Sequence, residues 1–258
     1  MKGTVAPVRG FTLLEVLVVM LIVTILMSGL AVPLAAQAAM RRLEETRRIL
    51  DDAREALVGF AVANGRLPCP ATLASRGEES FDPGGDATNG NCSNFHDGYL
   101  PAAAIGLAPL DSEGFARDGW GTEANRVRYA VFGGGRSLGG VTNPFTRTNG
   151  MQAATLLSLG AAPSYLFICA SAAGATASDC GPAANQLTRR AAFVLVSTGP
   201  NGAVGTSPGP DEARNRDASP VFVWHENADL PGNAFDDYLT WVPVGVLASR
   251  LVAAGRLP

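Results

Sequence analysis

The stretch Gly10-Phe-Thr-Leu-Leu-Glu-Val-Leu-Val-Val-Met-Leu-Ile-Val-Thr-Ile-Leu-Met-Ser-Gly-Leu30 decides how this chain is organised. Glu15 is its only charged residue. A helix of twenty residues at about 1.5 Å per residue covers about 30 Å, which is the thickness of the hydrocarbon core of a bilayer. The stretch therefore predicts a transmembrane helix over residues 11–34, preceded by a short leader, residues 1–10.

The carboxylate of Glu15 is the unusual feature of this apolar run. A charged side chain costs about 2.5–3.5 kcal/mol at the centre of a membrane helix, and less near its end. Two ordinary interpretations, a cleaved secretory signal and a plain membrane anchor, gain nothing from such a residue, although residues 33–38 resemble a signal cleavage site. A buried charge needs a partner. Cleavage after Gly10 would create one, because the new amine of Phe11 would lie one helical turn from Glu15.

The hexapeptide Gly10-Phe11-Thr12-Leu13-Leu14-Glu15 resembles the processing site of type IV prepilins and type II secretion pseudopilins. This resemblance implies that prepilin peptidase cuts between Gly10 and Phe11 and that the new N-terminus is methylated. It also implies that Glu15 pairs with the amine of Phe11 in a neighbouring subunit during assembly. The partners implied are the peptidase, other pilin or pseudopilin subunits, and an inner-membrane assembly platform.

The apolar run passes into an amphipathic segment in which Leu43, Leu50 and Leu57 recur every seven residues. We expect this segment, residues 35–65, to continue the same helix and to pack its apolar stripe on a globular domain over residues 66–258. Five strands and a final helix are predicted in that domain, at residues 127–132, 164–170, 191–197, 221–224, 238–242 and 243–254. The predicted fold is α+β and pilin-like: a long N-terminal helix, half transmembrane and half amphipathic, packed on a small antiparallel sheet with long loops.

The four cysteines predict two disulfides if this domain is exported. Three pairings are open to Cys69, Cys92, Cys169 and Cys180, and loop closure favours the near neighbours, Cys69 with Cys92 and Cys169 with Cys180. No pair has the Cys-x-x-Cys spacing of a structural zinc site.

Two short turns, Asp118-Gly-Trp-Gly121 and Ser197-Thr-Gly-Pro-Asn-Gly202, resemble turns in the globular part of the major pseudopilins of type II secretion. That resemblance implies a calcium ion in the loop after the second turn. Acidic side chains are plentiful in this region, and oxygen ligands are what calcium requires. The candidate calcium ligands are Asp211, Asp229, Asp236 and Asp237, drawn from a set that also includes Glu212 and Asp217.

Composition sets limits on other functions. The net charge is −3, without the basic patch of a nucleic-acid-binding protein, so no nucleic-acid partner is expected. Catalytic signatures such as Gly-x-Ser-x-Gly or His-Glu-x-x-His do not occur in the sequence, and we expect no enzymatic activity. The run Gly133-Gly-Gly-Arg-Ser-Leu-Gly-Gly140 predicts a hairpin loop, not a phosphate-binding loop, because no helix is predicted to open after it.

The sequence thus predicts a structural subunit, a pseudopilin or minor pilin, of a type II secretion pseudopilus or a type IV-like pilus. Lys2 and Arg9 should keep the leader in the cytoplasm. We expect a single pass through the inner membrane, a periplasmic globular domain, and a place in a filament after assembly. An alternative is a membrane-tethered periplasmic enzyme or binding protein with a prepilin-type leader, which would show a polar pocket with converging titratable groups.

Overall fold

The computed structural model describes residues 11–203 and 208–257, and for residues 26–35 and 203 it describes the backbone only. Within this range the fold is α+β, as predicted: a long N-terminal helix is followed by a small, mainly antiparallel sheet and two short hairpins. The chain divides into two compact units, one that ends at Leu43 and one that begins at Glu44. The predicted limits at residues 10, 34 and 65 remain predictions.

The helices and strands alternate irregularly along the chain. In residues 11–203 and 208–257 the α-helices are α1 (Leu13–Asn64), α2 (Gly150–Ala161), α3 (Pro210–Arg214) and α4 (Val244–Ala253). The strands of the same residues are β1 (Gly98–Tyr99), β2 (Arg128–Val131), β3 (Ser137–Leu138), β4 (Val141–Thr142), β5 (Leu166–Cys169), β6 (Gln186–Ser197), β7 (Val221–Val223), β8 (Ala228–Leu230), β9 (Asn233–Phe235) and β10 (Tyr238–Pro243). Short 3-10 turns lie at Leu73–Ser75, Glu123–Asn125, Ala183–Asn185 and Pro200–Ala203.

Helix α1 is continuous over 52 residues. Thr12 stands just before its first turn, where its hydroxyl oxygen accepts a hydrogen bond from the backbone N–H of Glu15 at 3.3 Å. Gly65 ends the helix in a left-handed conformation, with φ of 68°, and its N–H donates to the carbonyl of Ala61 at 2.8 Å. Among the described residues, no helix meets the combined length and apolarity needed to cross a membrane.

The main sheet is organised around its longest strand, β6. The strand order is β1-β2-β6-β5-β7, and β10 also pairs with β6. The first half of β6 pairs with β5, whereas its second half is flanked by β2 and β10, so that Val194 lies opposite both Ala130 and Trp241. All pairs are antiparallel except β5 with β7, which run parallel. This parallel pair differs from the predicted antiparallel arrangement.

The core of the second unit includes an apolar stripe of α1. Leu50, Ala53, Leu57 and Ala61 belong to one buried cluster with side chains of β2, β5, β6 and β7. These positions follow the three- and four-residue spacing of one helix face. Leu50 and Leu57 of the predicted stripe therefore pack in this core, whereas Leu43 is half-buried and belongs to the first unit.

The long irregular segment after α1 is fixed by covalent and ionic links. Disulfides join Cys69 to Cys92 and Cys169 to Cys180, the two pairings that loop closure favours. The guanidinium of Arg66 makes two hydrogen bonds with the carboxylate of Glu79, at 2.6 and 2.8 Å, and both side chains are largely buried. Since 23 residues separate the first two cysteines, the bond removes much of the freedom of this loop in the unfolded chain.

Some elements carried too little periodicity to be predicted. Helix α2 has no charged residue and contains Thr155 in a non-helical conformation. Helix α3 is only five residues long, and the β8–β9 hairpin is formed by strands of three residues each. The glycine-rich run at 133–140 does enter the β3–β4 hairpin, as predicted.

Replacement of Glu79 with Gln should destabilise the second unit, because it leaves the buried guanidinium of Arg66 without its counter-charge. Breaking a buried ion pair on one side costs about 3–5 kcal/mol. Urea unfolding of the purified full-length protein measures the change. The matched control is Glu45→Gln, which breaks a solvent-exposed pair with Arg48 and should leave the unfolding midpoint nearly unchanged. Equal midpoints for the two variants would show that the buried pair does not hold the loop.

Candidate functional site

Of the predicted processing and assembly residues, Phe11 lies just before α1 and Glu15 lies in its first turn. Gly10 lies outside the described residues. Phe11 is 83% exposed, and Glu15 is exposed within the first helical turn. The large apolar side chains between residues 13 and 23 are also exposed, by 43 to 85%. An apolar surface of this extent marks a site of contact with other molecules.

The two turns singled out in the sequence are brought together by hydrogen bonds. The hydroxyl of Ser197 donates to Asp118 Oδ2 at 2.6 Å, and both residues are buried. The side-chain amide of Asn125 donates to the carbonyl of Gly199 at 2.6 Å and to Asp118 Oδ2 at 3.3 Å. Asp118 also accepts the backbone N–H of Trp120 at 2.9 Å. These hydrogen bonds fix the turn at residues 118–121 against the end of β6. The chain continues from this end of β6 towards α3.

Three carboxylates converge beyond this loop, and we call them the carboxylate cluster: Glu212, Asp236 and Asp237. Helix α3 supplies Glu212, and the link between β9 and β10 supplies the two aspartates. One oxygen of each lies within 4.8 Å of the others. Glu212 and Asp237 are no more than 1% exposed. Three acidic groups are thus held together in a largely buried place.

Few donors compensate this concentration of negative charge. The amide of Asn201 donates to both oxygens of Glu212, at 3.0 Å each, and the amide of Asn215 donates to Asp237 Oδ2 at 2.8 Å. Arg216 comes within 3.9 Å of Asp237 Oδ1, too far for a hydrogen bond. Within the described part of the chain, the Oδ1 atoms of Asp236 and Asp237 are buried without a hydrogen-bond partner.

The protonation of the two aspartates reflects this environment. Burial, and then the charge of Glu212, raise the pKa of Asp236 to about 6. Burial raises the pKa of Asp237 to about 7, although Asn215 and Arg216 act in the opposite direction. Both shifts mean that the cost of burial exceeds the compensation that Arg216 and the hydrogen-bond donors give to the ionised forms.

The structure divides the four predicted calcium ligands. Asp236 and Asp237 belong to the carboxylate cluster, and Asp229 is exposed on β8. Asp211 accepts hydrogen bonds from Asn233 Nδ2 at 2.8 Å and His225 Nε2 at 3.1 Å. Burial alone would raise the pKa of Asp211, but its hydrogen bonds, led by the one from the backbone of Ala172, bring that pKa below its usual value. Asp211 is therefore already satisfied.

Glu212 takes the place that Asp211 was expected to fill. The two residues are neighbours in the first turn of the short helix α3, and their side chains have different surroundings. In the sequence, only the position of Glu212 next to Asp211 could have pointed to Glu212 as a ligand. The cluster fits a hard divalent cation because its ligands are carboxylate oxygens and two of them lack partners. Calcium takes six to eight oxygens, so carbonyl or water oxygens would have to complete the shell. When bound, the ion would supply charge compensation between α3 and the β9–β10 link.

Comparison with known proteins gives one finding, at the N-terminus. Residues 6–31 match the family model of the prokaryotic N-terminal methylation motif. No curated protein and no solved structure matches the chain significantly. The motif indicates a processed, prepilin-type protein that is anchored in a membrane or exported, and it implies a processing peptidase and assembly with other pilin-type subunits.

Calcium should raise the melting temperature of the protein above its value in EGTA if the carboxylate cluster holds the ion. The Asp237→Asn variant should lose most of this increase, since it removes a buried charged ligand. The control is Asp229→Asn, which neutralises an exposed aspartate outside the cluster and should keep the full increase. Thermal unfolding followed by circular dichroism makes the comparison. An increase that survives Asp237→Asn would place the ion elsewhere.

In EGTA, raising the pH from 5 to 7.5 should destabilise the wild-type protein relative to an Asp236→Asn/Asp237→Asn variant. The raised pKa values mean that the folded state binds more protons than the unfolded state over this range, so the free energy of unfolding falls as the pH rises. The expected difference is at least about 1.4 kcal/mol, the equivalent of one pKa unit. Urea unfolding at the two pH values measures it.

The comparison with the double variant is needed because His96 has the opposite effect on how the free energy of unfolding changes with pH. Burial lowers the pKa of His96 to about 4, so its contribution to stability increases as the pH rises towards 6.5. That contribution is common to both proteins and cancels in the difference. The same pH dependence in both proteins would mean that the two aspartates do not carry the effect.

Proposed function

We propose that this chain is a structural subunit, a pseudopilin or minor pilin, of a type II secretion pseudopilus or a type IV-like pilus. The observation that carries the proposal is the methylation motif at residues 6–31, which overlaps the start of a continuous helix that ends within a folded domain. The motif accounts for cleavage at Gly10 and Phe11. The helix accounts for the connection between the processed end and the domain.

Assembly would depend on the pair formed by the new amine of Phe11 and the carboxylate of Glu15. They are four positions apart, so a helix that began at Phe11 would bring them one turn apart on the same face. Between neighbouring subunits, the same two charges would set the axial register and offset each other's desolvation. The exposed apolar side chains of residues 13–23 supply the surface that lipid first covers and neighbouring helices cover later.

We further propose a single pass through the inner membrane, with the leader in the cytoplasm and the globular unit in the periplasm. Lys2 and Arg9 support this orientation. The two disulfides suit an oxidising compartment. Prepilin peptidase and an inner-membrane assembly platform would act on this form of the protein.

A non-enzymatic role is part of the proposal. The N-terminal residues act through cleavage and charge pairing, and the carboxylate cluster suits a structural calcium ion. The ion would fix α3 to the β9–β10 link, so its contribution is to the stability of the globular unit.

Mass spectrometry of the mature protein from its native host should find N-methylated phenylalanine, Phe11, as the first residue. Replacement of Gly10 with Val should leave the precursor uncut, since a β-branched residue replaces the small one before the scissile bond. A mature N-terminus near Met40 would instead establish a secretory signal and end the proposal.

The Glu15→Ala variant should be processed normally but should be recovered in sheared filaments at no more than about a tenth of the wild-type amount, because the amine of Phe11 loses its counter-charge. Immunoblotting of membrane and filament fractions measures the ratio. The control is Glu45→Ala, which removes an exposed carboxylate of the same helix and should assemble normally. Wild-type incorporation of Glu15→Ala would contradict the assembly role of this residue.

A further inference from the structure

A polar cleft of about 400 Å³ opens on the second unit, where four separate segments of the chain meet. The walls come from the loop around Cys92, the glycine-rich run, the turn before α2 and the segment before β7. Its volume lies at the lower end of the range of about 300–1,000 Å³ found for small-molecule sites. The cleft shares no lining residue with the carboxylate cluster. Its lining residues of interest are Asp82, Asn91, Asn94, Phe95, His96 and Asn143.

The walls of the cleft are held in place before any ligand arrives. The amide of Asn143 donates to Asn91 Oδ1 at 2.7 Å, and Asn143 Oδ1 accepts the backbone N–H of Gly135 at 2.9 Å. A side-chain carbon at Gly133 would overlap the ring of Phe95, so only glycine permits this close approach. The disulfide of Cys92 anchors the remaining wall. A preformed site of this kind loses little entropy on binding.

Two side-chain amide donors in the cleft are available to a ligand. Asn94 uses its Oδ1 atom to accept the backbone N–H groups of His96 and Asp97, at 3.0 and 2.9 Å, and this fixes its orientation. In the described part of the chain, neither Asn94 Nδ2 nor Asn91 Nδ2 donates to another protein group. Each can therefore bind an acceptor without breaking an existing hydrogen bond.

The imidazole of His96 adds a hydrogen-bond acceptor to the amide donors. Burial lowers the pKa of His96 to about 4, with a smaller contribution in the same direction from the charge of Arg136, so the ring is neutral at pH 7. A neutral imidazole has one N–H donor and one acceptor nitrogen. A hydrogen bond to the backbone of Ala218 uses the N–H and leaves the acceptor for a ligand. Hydroxyl groups both donate and accept, so they match the imidazole acceptor as well as the amide donors.

The charge of the lining excludes other small ligands. The lining contains no arginine or lysine, and Asp82 is its only ionisable residue besides His96, so a phosphate or carboxylate would find no cation to bind in the lining and would be repelled by Asp82. An apolar ligand would leave the amides of Asn91 and Asn94 without water or partner, which is unfavourable. Phe95 offers an apolar surface against which the C–H groups of a sugar ring can pack.

We propose that this cleft binds a neutral carbohydrate of one or two sugar units through the amides of Asn91 and Asn94 and the imidazole of His96. This binding activity goes beyond the assembly role and does not depend on it. It would give the exported unit a contact with glycans while α1 serves the filament.

Saturation-transfer NMR on the full-length protein tests the proposal, with maltose and N,N′-diacetylchitobiose as probes. The protein is held in a zwitterionic detergent, because a maltoside or glucoside detergent would compete for the cleft. Transfer should be seen from the protein to at least one of the two disaccharides. The comparison ligands are glucose 6-phosphate and glycylglycine, which carry charges that the lining does not match.

The Asn94→Ala variant should weaken the binding of that disaccharide at least about tenfold, since it removes one donor. Gln152→Ala is the control: it removes an exposed amide of α2, outside the cleft, and should bind like the wild type. A second variant, Asn91→Trp, fills the cleft from an exposed position and should abolish binding. If thermal melting shows that Asn94→Ala does not fold, the result for Asn91→Trp decides the test.

Three results would overturn the proposal. The first is that neither disaccharide receives saturation from the wild-type protein at 50-fold molar excess, about the level that NMR needs for millimolar affinity. The second is equal binding by the wild type and Asn91→Trp, which would place the sugar elsewhere. The third is stronger binding of glucose 6-phosphate or glycylglycine than of the disaccharides, which would make the cleft an anion or peptide site.

Discussion

Burial of the α1 stripe formed by Leu50, Ala53, Leu57 and Ala61 is the interaction on which the remaining structure depends. Removal of this apolar face from water stabilises the second unit and fixes where the sheet can form. The first turns of the same helix, over residues 13–25, carry apolar side chains that are exposed. One continuous helix therefore has an end that is satisfied within the protein and an end that requires other molecules.

The domain that covers this stripe contains much irregular backbone, and specific polar links replace the regularity that a larger sheet would provide. The Arg66–Glu79 pair and the Cys69–Cys92 disulfide hold the segment after α1. Asp118 joins this side of the domain to the end of β6 through Ser197. Because irregular loops are fixed at several points, they can form concave walls, and the polar cleft beside Cys92 is built from them.

The two polar sites of the domain differ in charge and therefore in what they can hold. In the carboxylate cluster, burial without sufficient donors makes the ionised aspartates unfavourable, and a divalent cation is the natural compensation. In the cleft, neutral amides and a neutral imidazole offer hydrogen bonds without net attraction for ions. The residues of both sites differ from Phe11 and Glu15, so the proposed assembly and binding roles can be tested by separate mutations.

The sequence by itself determined the features that depend on local order. The apolar run with Glu15, the helical character of the N-terminal segment, the strands at the centre of the sheet and the pairing of nearby cysteines all follow from periodicity, charge and loop length. Helix α2 and the β8–β9 hairpin gave no periodic signal, and their place depends on packing. Only the tertiary structure could choose Glu212 over Asp211 and bring Asn91, Asn94 and His96 together, because side-chain surroundings are set by contacts between distant segments. Periodicity in the chain cannot show whether Asp211 or Glu212 faces Asp236, which lies more than twenty positions later in the sequence.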